Sequence, residues 1–247
     1  MAHAKAQDEL QKRYEEGSQS LEDPEVEHMM SQADEMMGKP ARMLIAQAGL
    51  ERSTTTSFSL LDHGCGTGLP EHSFSHVTMN FAMHIIPDPA AVLRDALRIL
   101  RPGDLLAFSV PHANNGHGGG WVPDLRSALG SLPFQTSFPD PMPVALHGKP
   151  EWVDPEGIEA ELVNHGFVDV KVKTVDLIHP VANAEGFLAS FGMMAKWMIN
   201  TYWTVEQKEQ YEDDFNKTLV EHLQIKHGEK GWDLKSTPIL VTARTPQ

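Results

Sequence analysis

The chain has 247 residues, and its 20 basic and 34 acidic side chains leave a net charge of −14 with histidine neutral. That sign argues against a nucleic-acid surface, while 40% hydrophobic and 22% charged residues exclude wholesale disorder, a collagen-like chain and a coiled coil. A single cysteine, Cys65, leaves no internal disulfide, and the first residues show neither the apolar run of a signal peptide nor the arginine bias of a transit peptide, so the expectation is a soluble cytoplasmic protein with no membrane partner.

Residues 1–40 hold ten acids and four bases and read as an acidic helical extension. The remainder, 41–247, reads as a single α/β domain. ARMLIAQAGL has helical spacing and closes on Gly49, and RSTTTS is a connector. FSLLD, 58–62, is a buried strand that stops at HGCGTG. HVTMNFA, 76–82, is a second strand, followed by the proline turn of IIPDP and the helix AAVLRDALRIL, which ends at Arg101, Pro102 and Gly103. LLAFSV, 105–110, is the next strand, and strand, helix, strand at this spacing predicts a right-handed parallel unit.

Residues 111–150 read as loop, with Gly116, Gly118, Gly119 and Gly120 and many prolines. In DPEGIEAELVNHGF, Asp154 is a helix cap with Pro155 just inside, and the helix stops at Gly166. FVDVKVKTVDLI, 167–178, alternates as one strand; 183–227 reads as two helices split near Thr204; PILVTART is a last strand.

The chemistry concentrates in LLDHGCGTG, 60–68. An acid, Asp62, sits at a strand's carboxyl end, and glycines 64, 66 and 68 let the backbone turn sharply and approach a ligand with no side chain between. Directly after a buried strand, this is the pattern of a nucleoside-cofactor loop.

With Asp62, Gly64, Gly66 and Gly68 in that frame, the chain resembles the class I S-adenosylmethionine-dependent methyltransferases of small-molecule, secondary-metabolism type. The likeness continues through LPEHSFSHVTMNFAMHIIPDPAAVLRDALRILRPGDLLAFSV, similar to that family's fourth strand, helix and fifth strand. The resemblance implies a Rossmann-like sheet, mostly parallel with a final antiparallel strand, a helical lid at 183–227, and S-adenosyl-L-methionine as cofactor. It places Asp62, Gly64, Cys65, Gly66, Thr67 and Gly68 in the cofactor loop and Asn80, Phe81 and Ala82 along the cofactor pocket. Cys65 is there a small residue between glycines rather than a nucleophile.

One departure stands out. The family carries, between the glycine loop and its fourth strand, a helix, a second strand ending in the acid that grips the ribose hydroxyls, a further helix and a third strand. Here 13 residues separate Asp62 from His76, barely the ~12 a parallel crossover needs. Three readings follow: a defective transcript of an ordinary enzyme, a short form with weak cofactor binding, or a methyltransferase-shaped protein with another role. The last takes two forms, a cyclase or isomerase without methyl transfer, and a non-catalytic partner of an intact methyltransferase pairing through the bared sheet edge.

Methyl transfer is an in-line displacement, so alignment of the acceptor does most of the work. For a hydroxyl acceptor, a histidine near the carboxyl ends of the strands would take the proton; His84 and His112 are the candidates, with His117 behind them, and the plain alternative for each is a surface or capping histidine. HANNGHGGG, 112–120, offers two histidines without an acid at ligand spacing, so no metal is expected. Met193, Met194, Met198, Trp197 and Trp203 put soft apolar surface on the late helices, suited to a hydrophobic or aromatic substrate or to ordinary packing.

Overall fold

The structure, a computed structural model, describes residues 38–50, 60–62, 69–134, 138–228 and 230–247, with the backbone alone at 60–62 and 213. In chain order the elements are helix α1 (38–47), β1 (Leu60–Asp62), β2 (Phe74–Asn80), α2 (Pro89–Ile99), β3 (Leu100–Pro111), α3 (Asn115–Gly118), α4 (Val122–Leu129), a 3-10 turn (Pro150–Val153), α5 (Pro155–Asn164), β4 (Val168–Thr174), β5 (Leu177–Val181), α6 (Ala184–Tyr202), α7 (Val205–His227), β6 (Trp232–Ser236) and β7 (Pro238–Arg244). They fall into two compact units. Among the described residues, one holds the segments up to Ala113, Val144–Asp176 and Thr237–Gln247; the other holds Asn114–Pro143 and Leu177–Ser236.

The first unit is built on a five-stranded sheet in the order β1-β2-β3-β7-β4. β1, β2 and β3 pair in parallel, and β7 runs antiparallel to both β3 and β4, so one strand opposes four. The strands alternate as a two-faced sheet demands. Leu106, Phe108 and Val110 of β3 with Ile239, Val241 and Ala243 of β7 point to one face, where Leu93 and Ala96 of α2 and Ile158 and Leu162 of α5 cover them. Ala107 and Leu240 point to the other, under Leu44 of α1. Among the described residues, no strand lies beyond β1, which is an edge.

Local chemistry sets the helix ends. Asp88 accepts from the Ala91 N–H at 3.0 Å to start α2, and Asp154 accepts from the Gly157 N–H at 3.0 Å to start α5. Two expectations change. The helix after β2 stops at Ile99, and Arg101–Gly103 belongs to the strand, where a register shift against β2 gives Pro102 a place that lacks a ladder partner. The stretch 167–178 is two strands in two sheets, because β4 ends at Thr174 and β5 begins at Leu177 against β6.

The second unit packs α6 against α7 and carries the antiparallel pair β5–β6. Thr204 separates the two helices through a capping box with Gln207. Residues 111–150, expected as loop, include α3 and α4, and α4 places Asp124 among the buried residues. Its carboxylate accepts from Lys226 Nζ at 2.9 Å, His227 Nε2 at 2.8 Å and Trp232 Nε1 at 2.8 Å, joining α4, the end of α7 and β6. No helix among the described residues is long and apolar enough to cross a membrane.

Candidate active site

The glycine stretch that defines the motif, with Gly64, Cys65, Gly66, Thr67 and Gly68, lies outside the described residues, as does His63. What the structure does give is the strand end that delivers it. Asp62 closes β1 and sits in register with Thr78, two residues before the end of β2. The carboxyl ends of β1 and β2 are therefore neighbours, the arrangement in which parallel α/β sheets bind ligands.

At the end of β2 the chain turns abruptly. Phe81 adopts a left-handed conformation with φ of 51°, unusual for a side chain of its size, and its N–H donates to the carbonyl of Ser109 at 3.0 Å and to Ser109 Oγ at 3.2 Å. The fully buried Ser109 hydroxyl in turn donates to Asn80 Oδ1. One serine on β3 thus fixes both the amide of Asn80 and the backbone of Phe81. Ala82 then opens a turn, its carbonyl accepting from Ile85 at 2.9 Å and Ile86 at 3.2 Å.

His84 lies in this turn, with its ring edge-on to Phe81 at 6.3 Å between centroids. The segment around His147 clasps it: Leu146 N–H donates to the His84 carbonyl at 2.9 Å, and His147 Nε2 bonds the Met83 carbonyl at 3.0 Å. Because Lys149 N–H donates to His147 Nδ1 at 3.1 Å, His147 is the neutral tautomer with its proton on Nε2. Burial first, and His147 second, push the His84 imidazole down to about 3, and its Nδ1 is buried without a partner. At pH 7 it is neutral, and a group this acidic in its protonated form draws a proton from a phenol weakly.

His112 lies one residue past the end of β3, partly buried, its N–H donating to the Thr237 carbonyl at 2.9 Å. His117 is exposed on the short helix α3. Among the described residues, no group of three or more His, Cys, Asp or Glu side chains is arranged to hold a metal ion. Asn80, Phe81, Ala82 and His84 thus share one strand end and turn, with Asp62 on the adjoining strand and His112 past the end of the next. The sequence reading missed Ser109 and His147. A lone hydroxyl within the apolar LLAFSV is a usable signal for the first; nothing local marks His147, which meets the site from 64 residues away. A groove of about 530 Å³ opens instead in the unit that carries α4 and involves none of these residues.

Residues 41–108, from α1 through β3, match the methyltransferase domain family. Methyltransferase tpcH of Aspergillus fumigatus is 30% identical over 183 residues, covering 73% of this chain and 62% of that protein. Methyltransferase ktnA of Aspergillus niger is 26% identical over 167 residues, covering 67% and 53%. The chain therefore spans between half and two thirds of the length of these two relatives. The crystal structure of the YcgJ protein of Bacillus subtilis aligns over 74% of this chain and 68% of its own at 10% identity and a TM-score of 0.37, a likeness that decides nothing alone. Over residues 41–108 the chain thus carries the methyltransferase domain of that family.

Proposed function

We propose that the chain transfers a methyl group from S-adenosylmethionine to an oxygen of a hydrophobic or aromatic small molecule in secondary-metabolite biosynthesis. The observation that carries this reading is the family match over 41–108, which coincides with the strand ends where Asp62 and the Asn80–Ala82 turn come together. The donor set suits the methionine end of the cofactor: a carboxylate for its ammonium, an oriented amide, and a backbone turned tightly by Phe81. The cofactor supplies an electrophilic methyl on a sulfonium; the work of the chain is to bind and align. Asp62 and the glycine loop hold the donor, and the Ser109 hydroxyl keeps the Asn80–Phe81 turn in place. We assign proton removal from the acceptor to His112 rather than His84, whose imidazole stays neutral until about pH 3.

Calorimetric titration with S-adenosylhomocysteine tests this reading. The parent chain is expected to bind one equivalent, and Asp62→Ala and Gly66→Val to lose at least about tenfold in affinity while melting as the parent does. Equal binding by parent and both variants removes the site.

A second reading has its own support. Among the described residues β1 ends the sheet, an edge that a strand from another chain could pair with. A chain silent toward S-adenosylhomocysteine that elutes as a stoichiometric complex with a longer methyltransferase would be a non-catalytic partner. Silence together with cofactor-free turnover of a substrate would mark a cyclase or isomerase.

A further inference from the structure

The turn after β2 is short of a hydrogen-bond donor, and Pro87 is the reason. In a helical turn each carbonyl accepts from the N–H three or four residues further on, as Ala82 does from Ile85 and Ile86. The next carbonyl, Met83, has Pro87 as its fourth residue on, and its third, Ile86, already donates to Ala82. For His84 the third residue on is again Pro87. Proline has no N–H to give, and Met83 is fully buried, so these carbonyls need donors from elsewhere. Two consecutive residues of a distant segment supply them: His147 Nε2–H reaches the Met83 carbonyl at 3.0 Å, and Leu146 N–H reaches that of His84 at 2.9 Å. Lys149 Nζ adds a bond to the Pro87 carbonyl at 3.4 Å.

The supplying segment is itself anchored. Ala145, Leu146 and His147 are buried, Trp152 belongs to the main core, and the Val153 carbonyl accepts from Ala113 N–H at 2.8 Å. Residues 146–153 thus form a strap from the turn after β2 to the chain just past β3, beside His112. The His147 ring can serve in one form only, because Lys149 N–H occupies Nδ1 at 3.1 Å and leaves the proton for Met83 on Nε2. Phe81, with its left-handed backbone, lies two residues before Met83, and such a conformation persists only where its surroundings hold it. Ser109 holds it from the sheet, and the strap holds the residues that follow.

We propose that His147 is a positioning residue of the methyl-transfer site: through the Met83 carbonyl it sets the turn that carries Asn80, Phe81 and Ala82, and through the strap it fixes that turn relative to His112. The inference rests on the reading of this strand end as the donor site, yet the grip of His147 on the turn is measurable with no cofactor present.

Two variants of the full chain separate the bonds. His147→Asn keeps an oxygen for Lys149 N–H but falls short of Met83, whereas His147→Gln keeps an N–H at the reach of Nε2. Amide hydrogen exchange is followed at Phe81, Ile86 and Leu146, and at Val241 inside the sheet as the measure of global opening. His147→Asn is expected to speed the first three at least tenfold and Val241 less than threefold, with His147→Gln within threefold of the parent at all four. In calorimetric titration with S-adenosylhomocysteine, His147→Asn is expected to bind at least fivefold more weakly than the parent and His147→Gln within twofold of it. Unchanged exchange in His147→Asn, equal acceleration at Val241, a glutamine variant no better than the asparagine one, or parent-like affinity in His147→Asn each overturns the proposal. If His147→Asn does not fold, the imidazole nitrogen shifts of the parent decide: a proton on Nε2 upholds the proposal and one on Nδ1 overturns it. A parent chain silent toward S-adenosylhomocysteine removes the methyl-transfer reading alone, and the exchange rates then decide for His147.

Discussion

Asp124 shows how much one side chain can organise. Burial alone would raise its carboxyl, but hydrogen bonds from Lys226 and His227, the Lys226 charge and the Trp232 indole outweigh it and hold the group below its ordinary value. The His227 ring also lies flat on Trp232, 4.1 Å away at 3°. Asp124→Ala strands three buried or half-buried donors and is expected to lower stability by about 2–4 kcal/mol in urea unfolding at pH 7. The partners lie 102 to 108 residues further along the chain, and no local pattern around VPDLRSAL announces them. His84 leads to a prediction of opposite chemistry. Its pKa falls on folding from 6.5 to about 3, so the unfolded chain binds the proton more tightly in that window. The contribution is intact above about pH 6.5 and is lost as pH falls towards 3, amounting to about 1–2 kcal/mol between pH 7 and pH 5. His76 and His222, also shifted down chiefly by burial, add to the same slope. His84→Asn should flatten the slope by its own share, read from urea midpoints at the two pH values; an unchanged slope would return His84 to an ordinary surface environment.

Among the elements, those bounded by chemistry of a few adjacent residues were legible before any coordinates. Asp154 with Pro155 announces α5, Thr204 marks the split that precedes α7, and Gly166, at φ of 91°, ends the first of these with a turn that a side chain resists. The misreadings share a physical cause, which is that strand pairing is decided by distant partners. Arg101–Gly103 resembles a helix stop, yet the register shift against β2 recruits it into β3. VDVKVKTVDLI reads as one strand although its alternation shifts phase at Val175, and β4 pairs with β7 while β5 pairs with β6. β6 itself, WDLKS, is too short and polar to declare itself. Of the site, the Asp62 glycine pattern stands out because it follows a strand directly, whereas Asn80–Ala82 enters only through the family resemblance and reads as strand rather than turn, and the groove at Arg126 is assembled from a stretch read as loop. A steric prediction belongs at this scale. A Cβ on Gly157 would lie 2.6 Å from the Glu151 carbonyl oxygen and 2.7 Å from its Cα, both backbone atoms of the 3-10 turn. Gly157→Ala should therefore cost about 1–3 kcal/mol despite alanine's higher helix propensity, measurable as a lowered Tm; a raised Tm would show that the turn and α5 can part.

For the whole molecule, the position of β7 matters most. It is the last strand in the chain but lies between β3 and β4, pairing along Leu105–Pro111 on one side and Val168–Thr174 on the other. Its Ile239, Val241 and Ala243 are fully buried in the main core, and the residues after it are tied back as well, Thr245 N–H to the Asp104 carbonyl at 3.0 Å and Gly103 N–H to the Pro246 carbonyl at 3.1 Å. Deleting residues 238–247 should abolish the cooperative unfolding transition of this unit, followed by circular dichroism, and leave insoluble protein on expression; a soluble, cooperatively melting product would contradict the sheet order. Emergence from the ribosome then has a consequence of its own. β3 and β4 are both made before the strand that joins them, so while residues 175–237 are added the growing polypeptide carries two bare ladders. A chaperone that shields such ladders would therefore act on the polypeptide during the addition of this stretch.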